Sequence, residues 1–207
     1  MVTMQQLTFR GLTISFDHHV LEPRPWTAAQ SEWAAELLIE APPGPVLELC
    51  AGVGHIGLGA VHASNRHLVM VDVNPVAERF ALENATANGL SSRVEFRLDR
   101  METALDDEER FSLIVADPPW VRSADTTRFP EDPVLAIDGG DDGLVLARTC
   151  VDLIDGHLSA GGSGLLQIGN LEQADAIAAY AADRSAGLLR AAQTRAYERG
   201  VLMQLVR

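Results

Sequence analysis

The sequence predicts an α/β fold in which helices cover a doubly wound, mostly parallel sheet. From residue 46 to residue 168, short apolar runs alternate with segments of helical pattern, which is typical of parallel sheets. Residues 188–196 and 201–206 are two further strand-like runs joined by a short polar link. We therefore expect these two strands to pair antiparallel at one edge of the sheet.

About 40 residues precede this core and predict a small appendage. Residues 7–16 alternate apolar and polar side chains on both sides of Gly11, as a β-hairpin does. A helix should run from Thr27 to about residue 40, because Thr27 suits an N-cap and Gln30 completes a capping-box pattern. The prolines of residues 41–45 end that helix.

Strands and helices follow one another through the core. The seven predicted strands are residues 46–50, 67–71, 93–98, 111–116, 164–168, 188–196 and 201–206. The predicted helices run from the turn after residue 50 to residue 63, and over residues 75–88, 143–155 and 171–182. A turn is expected at Gly161-Gly162. Residues 121–142 predict a long irregular segment, which in compact domains is usually functional or disordered.

Length and composition bound the class of protein. The 207 residues predict one domain over 1–207, with the appendage in residues 1–40 and the core in 41–207. The hydrophobic fraction of 47% comes without an apolar run near the roughly 18 residues of a membrane span. No secretory signal is expected at the N-terminus. We expect Cys50 and Cys150 to be reduced thiols that pack in the protein interior. Reduced thiols are typical of the cytoplasm, so we expect a cytoplasmic protein.

The charge disfavours several functions. Against 29 acidic residues stand 16 arginines and no lysine, so the net charge is −13. Nucleic-acid binding depends on clustered basic side chains, which argues against such a partner. The six histidines lack metal-ligand spacing with the cysteines, so no metal site is predicted. No serine stands in the Gly-x-Ser-x-Gly context of a hydrolase.

The stretch from residue 111 to residue 120 predicts a ligand-binding edge of the sheet. Leu113, Ile114 and Val115 are typical of a strand buried on both faces. Pro118 and Pro119 must end that strand, because they remove two backbone donors. Asp117 is therefore expected at the carboxyl end of a buried strand, where open α/β sheets place their ligands. An Asp-Pro-Pro sequence can also serve only to break a strand.

A second candidate site follows the first two predicted strands. Glu48 belongs to the first strand, and Gly52 and Gly54 allow the backbone to approach a ligand closely. Asp72 ends the next strand, where an acid can accept both hydroxyls of a ribose. A nicotinamide dinucleotide and S-adenosylmethionine both fit this pattern. A dehydrogenase, however, has no use for Asp-Pro-Pro-Trp after the fourth strand.

These motifs together resemble those of class I S-adenosylmethionine-dependent methyltransferases. Residues 46–54, 71–75 and 117–120 are similar to the first, second and fourth motifs of that family. More narrowly, the chain resembles the HemK-type N5-glutamine methyltransferases in residues 21–27, 84–88 and, most specifically, 133–144. The resemblance covers roughly residues 20–206 and implies a Rossmann-like, seven-stranded fold. We expect no counterpart of the helical N-terminal domain that the bacterial members have.

The resemblance also implies a cofactor and the residues that bind it. S-adenosyl-L-methionine is the expected cofactor. The residues expected to contact it are Glu48, Cys50, Gly52, Gly54, Asp72, Val73, Asp99 and Asp117. Asp72 would take the ribose and Asp99 would lie near the adenine, although Arg100 stands where the family places its acid. Cys50 replaces a small glycine of the family.

The expected chemistry is methyl transfer to nitrogen. An enzyme for this reaction must hold the acceptor nitrogen with its lone pair aimed at the methyl group. Asp117 and a carbonyl of Pro118 or Pro119 can each accept an N–H, and Trp120 can stack on a flat acceptor. The family has Asn-Pro-Pro-Tyr here, whereas Asp-Pro-Pro-Trp resembles adenine-N6 and some guanine-N2 methyltransferases.

The acceptor remains open at this stage. We expect a planar or amino nitrogen of a protein side chain or small molecule. One alternative is an exocyclic amino group of RNA or DNA. Another is a non-catalytic cofactor-binding or scaffold protein. Neither the oligomeric state nor the need for a partner protein follows from the sequence.

Overall fold

A computed structural model describes residues 4–207. Its first element is an antiparallel hairpin of β1 (Gln5–Phe9) and β2 (Leu12–Phe16). Arg10 and Gly11 both have positive φ, 50° and 84°, which matches the twist of a two-residue hairpin turn. The predicted hairpin is therefore confirmed.

The remaining strands form one seven-stranded sheet. They are β3 (Val46–Leu49), β4 (Leu68–Asp72), β5 (Val94–Leu98), β6 (Phe111–Ala116), β7 (Leu158–Ile168), β8 (Arg190–Ala196) and β9 (Val201–Val206). Their order is β5-β4-β3-β6-β7-β9-β8. All pairs from β5 to β7 are parallel, and β9 is antiparallel to both β7 and β8. The predicted fold class is confirmed.

Helices cover both faces of this sheet. They are α1 (Ala28–Glu40), α2 (His55–Val61), α3 (Pro75–Ala87), α4 (Val134–Ile137), α5 (Val145–His157) and α6 (Leu171–Arg184). The hairpin and α1 to α3 pack on one face, and α5 and α6 pack on the other. Neighbouring strand residues alternate between the two cores, so Leu113 faces the first and Ile114 the second.

The predicted capping box at the start of α1 is wrong. The Thr27 side chain caps no helical N–H and instead donates to the carbonyl of Arg24 at 2.7 Å. Gln30 is fully buried, and its Nε2 donates to the carbonyls of Ala116, at 2.9 Å, and Leu165, at 3.3 Å. Gln30 thus ties α1 to β6 and β7, so tertiary contact decides the role of this side chain.

The predicted turn at Gly161-Gly162 is also wrong. Both glycines lie inside β7, which has 11 residues and pairs with β6 across a register shift. A Cβ on Gly162 would lie 2.8 Å from the carbonyl oxygen of Ser112. The glycine at residue 162 therefore allows β6 and β7 to approach closely at the register shift. Glycine is also typical of turns, so the sequence pattern alone suggested a turn here.

The long segment after Asp117 is ordered by backbone hydrogen bonds. Val121 donates to the carbonyl of Ile137 at 3.0 Å, and Gly139 donates to the carbonyl of Val121 at 2.7 Å. A 3₁₀ turn over Ser123–Arg128 and the short helix α4 fill the intervening chain. The segment thus folds back onto the residues that follow β6.

The two cysteines, far apart in sequence, are neighbours in the fold. Both are free thiols, and Cys150 is fully buried. The neighbouring Cys150 thiol and burial raise the pKa of the Cys50 thiol. Separately, no helix within residues 4–207 has both the length and the apolar character needed to cross a membrane.

Candidate active site

A cleft of about 320 Å³ opens at the carboxyl ends of the parallel strands. The strand order reverses between β3 and β6, because β4 and β5 lie on one side of β3 and β7 lies beyond β6. Such a reversal leaves a crevice between the connections of the two halves. The cleft lies at this reversal.

Most of the predicted site residues line the cleft, and some lie behind it. The lining includes Cys50, Gly52, Asp72, Val73, Asp99, Asp117 and Pro119. The residues outside the lining are Glu48, Gly54, Pro118 and Trp120. Direct contact with a ligand thus stays a prediction for the residues that line the cleft. The residues outside the lining lie where they can support the lining residues.

The glycine turn after β3 is held by Asp72. The N–H of Gly52 donates to Asp72 Oδ2 at 2.8 Å, and the N–H of Asn74 donates to Oδ1 at 2.9 Å. Burial raises the pKa of Asp72. Gly52 has φ of 52° and open space where a Cβ would stand, so this turn presents bare backbone to the cleft.

Glu48 lies beneath the same turn and is only 2% exposed. Its Oε1 accepts the N–H of Gly57 at 2.9 Å, and a Cβ on residue 57 would collide with its carboxyl group. Burial, together with the charges of Asp117 and Asp72, raises the pKa of Glu48 to about 8. At neutral pH Glu48 is therefore mostly protonated.

Asp117 directly follows β6 and faces the cleft. Its Oδ1 accepts a hydrogen bond from Gln167 Nε2 at 2.9 Å. Burial raises the pKa of Asp117 to about 7, although the bond from Gln167 opposes the rise. The carboxyl group is therefore poised between its two protonation states near neutral pH. Sequence reasoning missed Gln167, because a polar residue in a predicted strand carries no signal of its partner.

Glycines pack tightly around the Asp-Pro-Pro-Trp turn. A Cβ on Gly139 would lie 2.7 Å from the Pro119 carbonyl oxygen, and one on Gly143 would lie 2.5 Å from the Trp120 carbonyl oxygen. The Trp120 ring packs on Gly169, where a Cβ would lie 2.6 Å from Cε3. The glycine-rich segment that carries the most specific sequence resemblance thus buttresses this turn.

The chain ahead of α1 forms another wall of the cleft. His19, Val20, Leu21 and Arg24 line it, and the Arg24 guanidinium pairs with Asp132 from the segment after β6. The only sequence signal for this wall was the resemblance of residues 21–27 to a family loop.

His55 also lines the cleft. Burial lowers its pKa to about 3, so that side chain is neutral.

One cluster of metal-ligand type lies beside this wall. Within residues 4–207, the ligand atoms of Asp17, His18 and His19 lie within 4.8 Å of one another. The Asp17 carboxylate already accepts from the backbone and ring of His19 and pairs with Arg79. Those bonds account for its burial without a metal ion.

The chain matches the model of a known protein family. Residues 28–131 match the model of the methyltransferase small domain. The chain belongs to this family. The match includes α1, the glycine turn, Asp72 and Asp117, so it covers most elements that build the cleft.

Individual relatives and a solved structure agree with this assignment. The chain is 29% identical over 175 residues to the release factor glutamine methyltransferase of Clostridium acetobutylicum, covering 81% of this chain and 61% of that protein. It is 28% identical to the ribosomal protein uL3 glutamine methyltransferase of Francisella tularensis, covering 83% and 56%. The chain thus spans about three fifths of the length of the curated relatives it matches.

The fold is that of known methyltransferases. A 16S rRNA N2 methyltransferase of T. thermophilus, solved with AdoMet and guanosine, superposes with a TM-score of 0.72 at 19% identity. The superposition covers 100% of this chain and 51% of that one. At this identity the likeness concerns the fold alone.

Proposed function

We propose that the protein transfers a methyl group from S-adenosyl-L-methionine to a nitrogen atom of a protein side chain. One observation carries the proposal: Asp117 opens onto the same cleft as the bare glycine turn that Asp72 holds. A nucleoside-binding edge and an acceptor for N–H groups therefore meet in one space. The family and the named relatives support the same reaction class.

The cleft residues fit the proposed cofactor. Gly52 leaves room that any side chain would fill. Asp72 is the last residue of β4, Asp99 follows the neighbouring strand β5, and both residues line the cleft. Carboxylates accept hydrogen bonds from hydroxyl and amino groups, as a ribose and an amino acid provide. When bound, the cofactor supplies an electrophilic methyl group on a positively charged sulfur.

Asp117 is the proposed acceptor-holding residue. Its ionised carboxylate accepts an N–H of the acceptor, which orients the nitrogen and offsets the positive charge that develops there. Pro119 lines the cleft beside it and fixes the backbone of the turn. Trp120 lies outside the cleft lining and its ring packs on Gly169, so we propose that it supports the turn, and its stacking on the acceptor stays a prediction.

A glutamine side-chain amide is the acceptor to test first. The relatives are named for glutamine methylation of a release factor or of ribosomal protein uL3. The net charge of −13 disfavours nucleic acid as the acceptor. We also propose that the catalytic unit is a single domain in the cytoplasm, where the thiols of Cys50 and Cys150 stay reduced.

The test uses labelled S-adenosyl-L-methionine with purified release factor, purified uL3 and a cell extract split into protein, RNA and small-molecule fractions. We expect label in protein, mapped by tandem mass spectrometry to a side-chain nitrogen, and far less label with Asp117→Ala. Label confined to RNA or to small molecules would exclude a protein acceptor. If calorimetry shows that the cofactor does not bind, the proposed reaction is wrong.

A further inference from the structure

We propose that Gln167 is a positioning residue that fixes which oxygen of Asp117 is presented to the acceptor, so that the identities of residues 117 and 167 are coupled. The kinetic part of this inference rests on the proposed methyl transfer, whereas its structural part does not. It follows from the contact between the side chain of Asp117, which directly follows β6, and that of Gln167 in the adjacent strand β7.

The contact is well defined by its surroundings. Gln167 lies near the end of β7 and is only 3% exposed, and its Nε2 reaches Asp117 Oδ1 at 2.9 Å. An ionised carboxylate can only accept hydrogen bonds, so the amide must turn its NH₂ group toward it. The amide therefore occupies Oδ1 and leaves Oδ2 as the oxygen that is open to another donor.

The strands below the pair are fixed independently of it. Gln30 donates to the carbonyls of Ala116 in β6 and Leu165 in β7, one and two residues before the pair. The parallel register also places Ala116 opposite Leu166. Removing the amide of Gln167 thus leaves both backbones in place and frees only the Asp117 side chain.

The same contact bears on the Asn-Pro-Pro-Tyr pattern of the resembling family. With an asparagine at 117, Gln167 in its present orientation would hold the amide oxygen and leave the NH₂ group facing the acceptor. An oxygen would face the cleft only if residue 167 accepted from that NH₂ group, either as a carboxylate or as a glutamine with its amide turned over. Asp117 presents an oxygen without any such change at residue 167.

The first experiment needs no methyl acceptor. The titration of the Asp117 side-chain carboxyl is followed by ¹³C NMR in the wild type, in Gln167→Leu and in Gln204→Leu. Gln204 is the matched control, because its Nε2 donates to Ser163 within the same sheet, away from the cleft. We expect the Asp117 midpoint to rise in Gln167→Leu only. Equal midpoints in all three proteins would overturn the inference.

The second experiment measures turnover in Asp117→Asn, Gln167→Glu and the double variant Asp117→Asn/Gln167→Glu. Gln167→Glu should lose activity, because two carboxyl groups then face each other, and Asp117→Asn should lose activity because it removes the charge at residue 117. The double variant should regain at least about tenfold over Gln167→Glu, because the exchange restores one donor and one acceptor. Losses that simply multiply would overturn the coupling. A wild type without turnover on any acceptor would instead refute the proposed function, and the NMR result would still decide the role of Gln167.

Discussion

Asp72 and Asp117 stand at the carboxyl ends of two parallel strands of the same sheet, but they are held in different ways. Asp72 accepts backbone N–H groups from Gly52 and Asn74, one on each oxygen. Asp117 accepts from one side chain, Gln167. Burial raises the pKa of both carboxyl groups.

This difference separates what the fold fixes from what substitution can change. A backbone donor exists whatever the side chain is, so the turn around Asp72 depends on conformation and on glycine. A side-chain donor can be exchanged by one substitution, which changes the hydrogen-bonding character of residue 117. We infer that the cofactor half of the cleft is set by the backbone, whereas the acceptor half is set by a pair of side chains.

The largest expected effect is the loss of turnover in a variant of Asp117 that keeps its affinity for the cofactor. Asp117→Ala should lower turnover by about 100-fold or more, because it removes the group that orients the nitrogen and offsets its charge. Cofactor affinity, measured by calorimetry, should stay within about threefold. Lost affinity with preserved turnover would reverse the assignment of the two halves.

The pH dependence of turnover should report the same carboxyl group. Since its pKa is raised to about 7, Asp117 is mostly protonated below that pH and lacks the negative charge that offsets the charge developing on the acceptor nitrogen. Turnover should therefore rise about tenfold per pH unit below neutrality and level off above it. The residual rate of Asp117→Ala is the control and should show no such inflection. A wild-type profile that stays flat across neutrality would show that ionisation of Asp117 is not required.

The complementary change at Asp72 should act on binding. Asp72→Ala leaves the N–H of Gly52 in the glycine turn and the N–H of Asn74 without their acceptor, and it removes a predicted ribose contact. We expect about tenfold weaker cofactor binding by calorimetry. Asp72→Asn keeps one acceptor oxygen and should lose less. Unchanged affinity in Asp72→Ala would contradict a role of this residue in the cofactor half.

The smallest expected effect is on the free energy of unfolding and concerns Glu48. Its control is a second carboxyl group whose substitution should change stability in the opposite direction. The pKa of Glu48 is about 8 in the folded protein, so its cost to stability appears above the unfolded pKa near 4.5 and grows up to about pH 8. Glu48→Gln keeps an acceptor for Gly57 and should raise the free energy of unfolding at neutral pH by about 1 kcal/mol or more. The gain should vanish below about pH 4.

Glu109 provides the control for that measurement. Its carboxylate accepts two hydrogen bonds from Arg97, at 2.7 and 2.8 Å, which lower its pKa to about 2. Glu109→Gln should therefore reduce stability at neutral pH. Denaturant unfolding of both variants measures the two signs. A loss of stability in Glu48→Gln at neutral pH would show that the buried carboxyl group is ionised and well paired.

Local sequence features were sufficient for much of the fold and for part of the site. The alternation of strand-like and helical segments predicts the parallel pairing of β3 to β7. Asn74 caps α3, as its position before Pro75 suggests. The proline pair marks the end of β6 because prolines act on their own backbone. Gln30, Gly162 and Gln167 were missed or misassigned, because each acts on a strand that lies far away along the chain.

The sequence alone determined the fold class, the strand ends that meet at the cleft and the presence of a carboxyl group at residue 117. These follow from periodicity, from backbone restrictions at glycine and proline, and from the order of segments. Only the tertiary structure decided how each carboxyl group is held. The partner of a buried polar group is chosen by packing between distant segments, so Asp72 meets backbone amides and Asp117 meets Gln167.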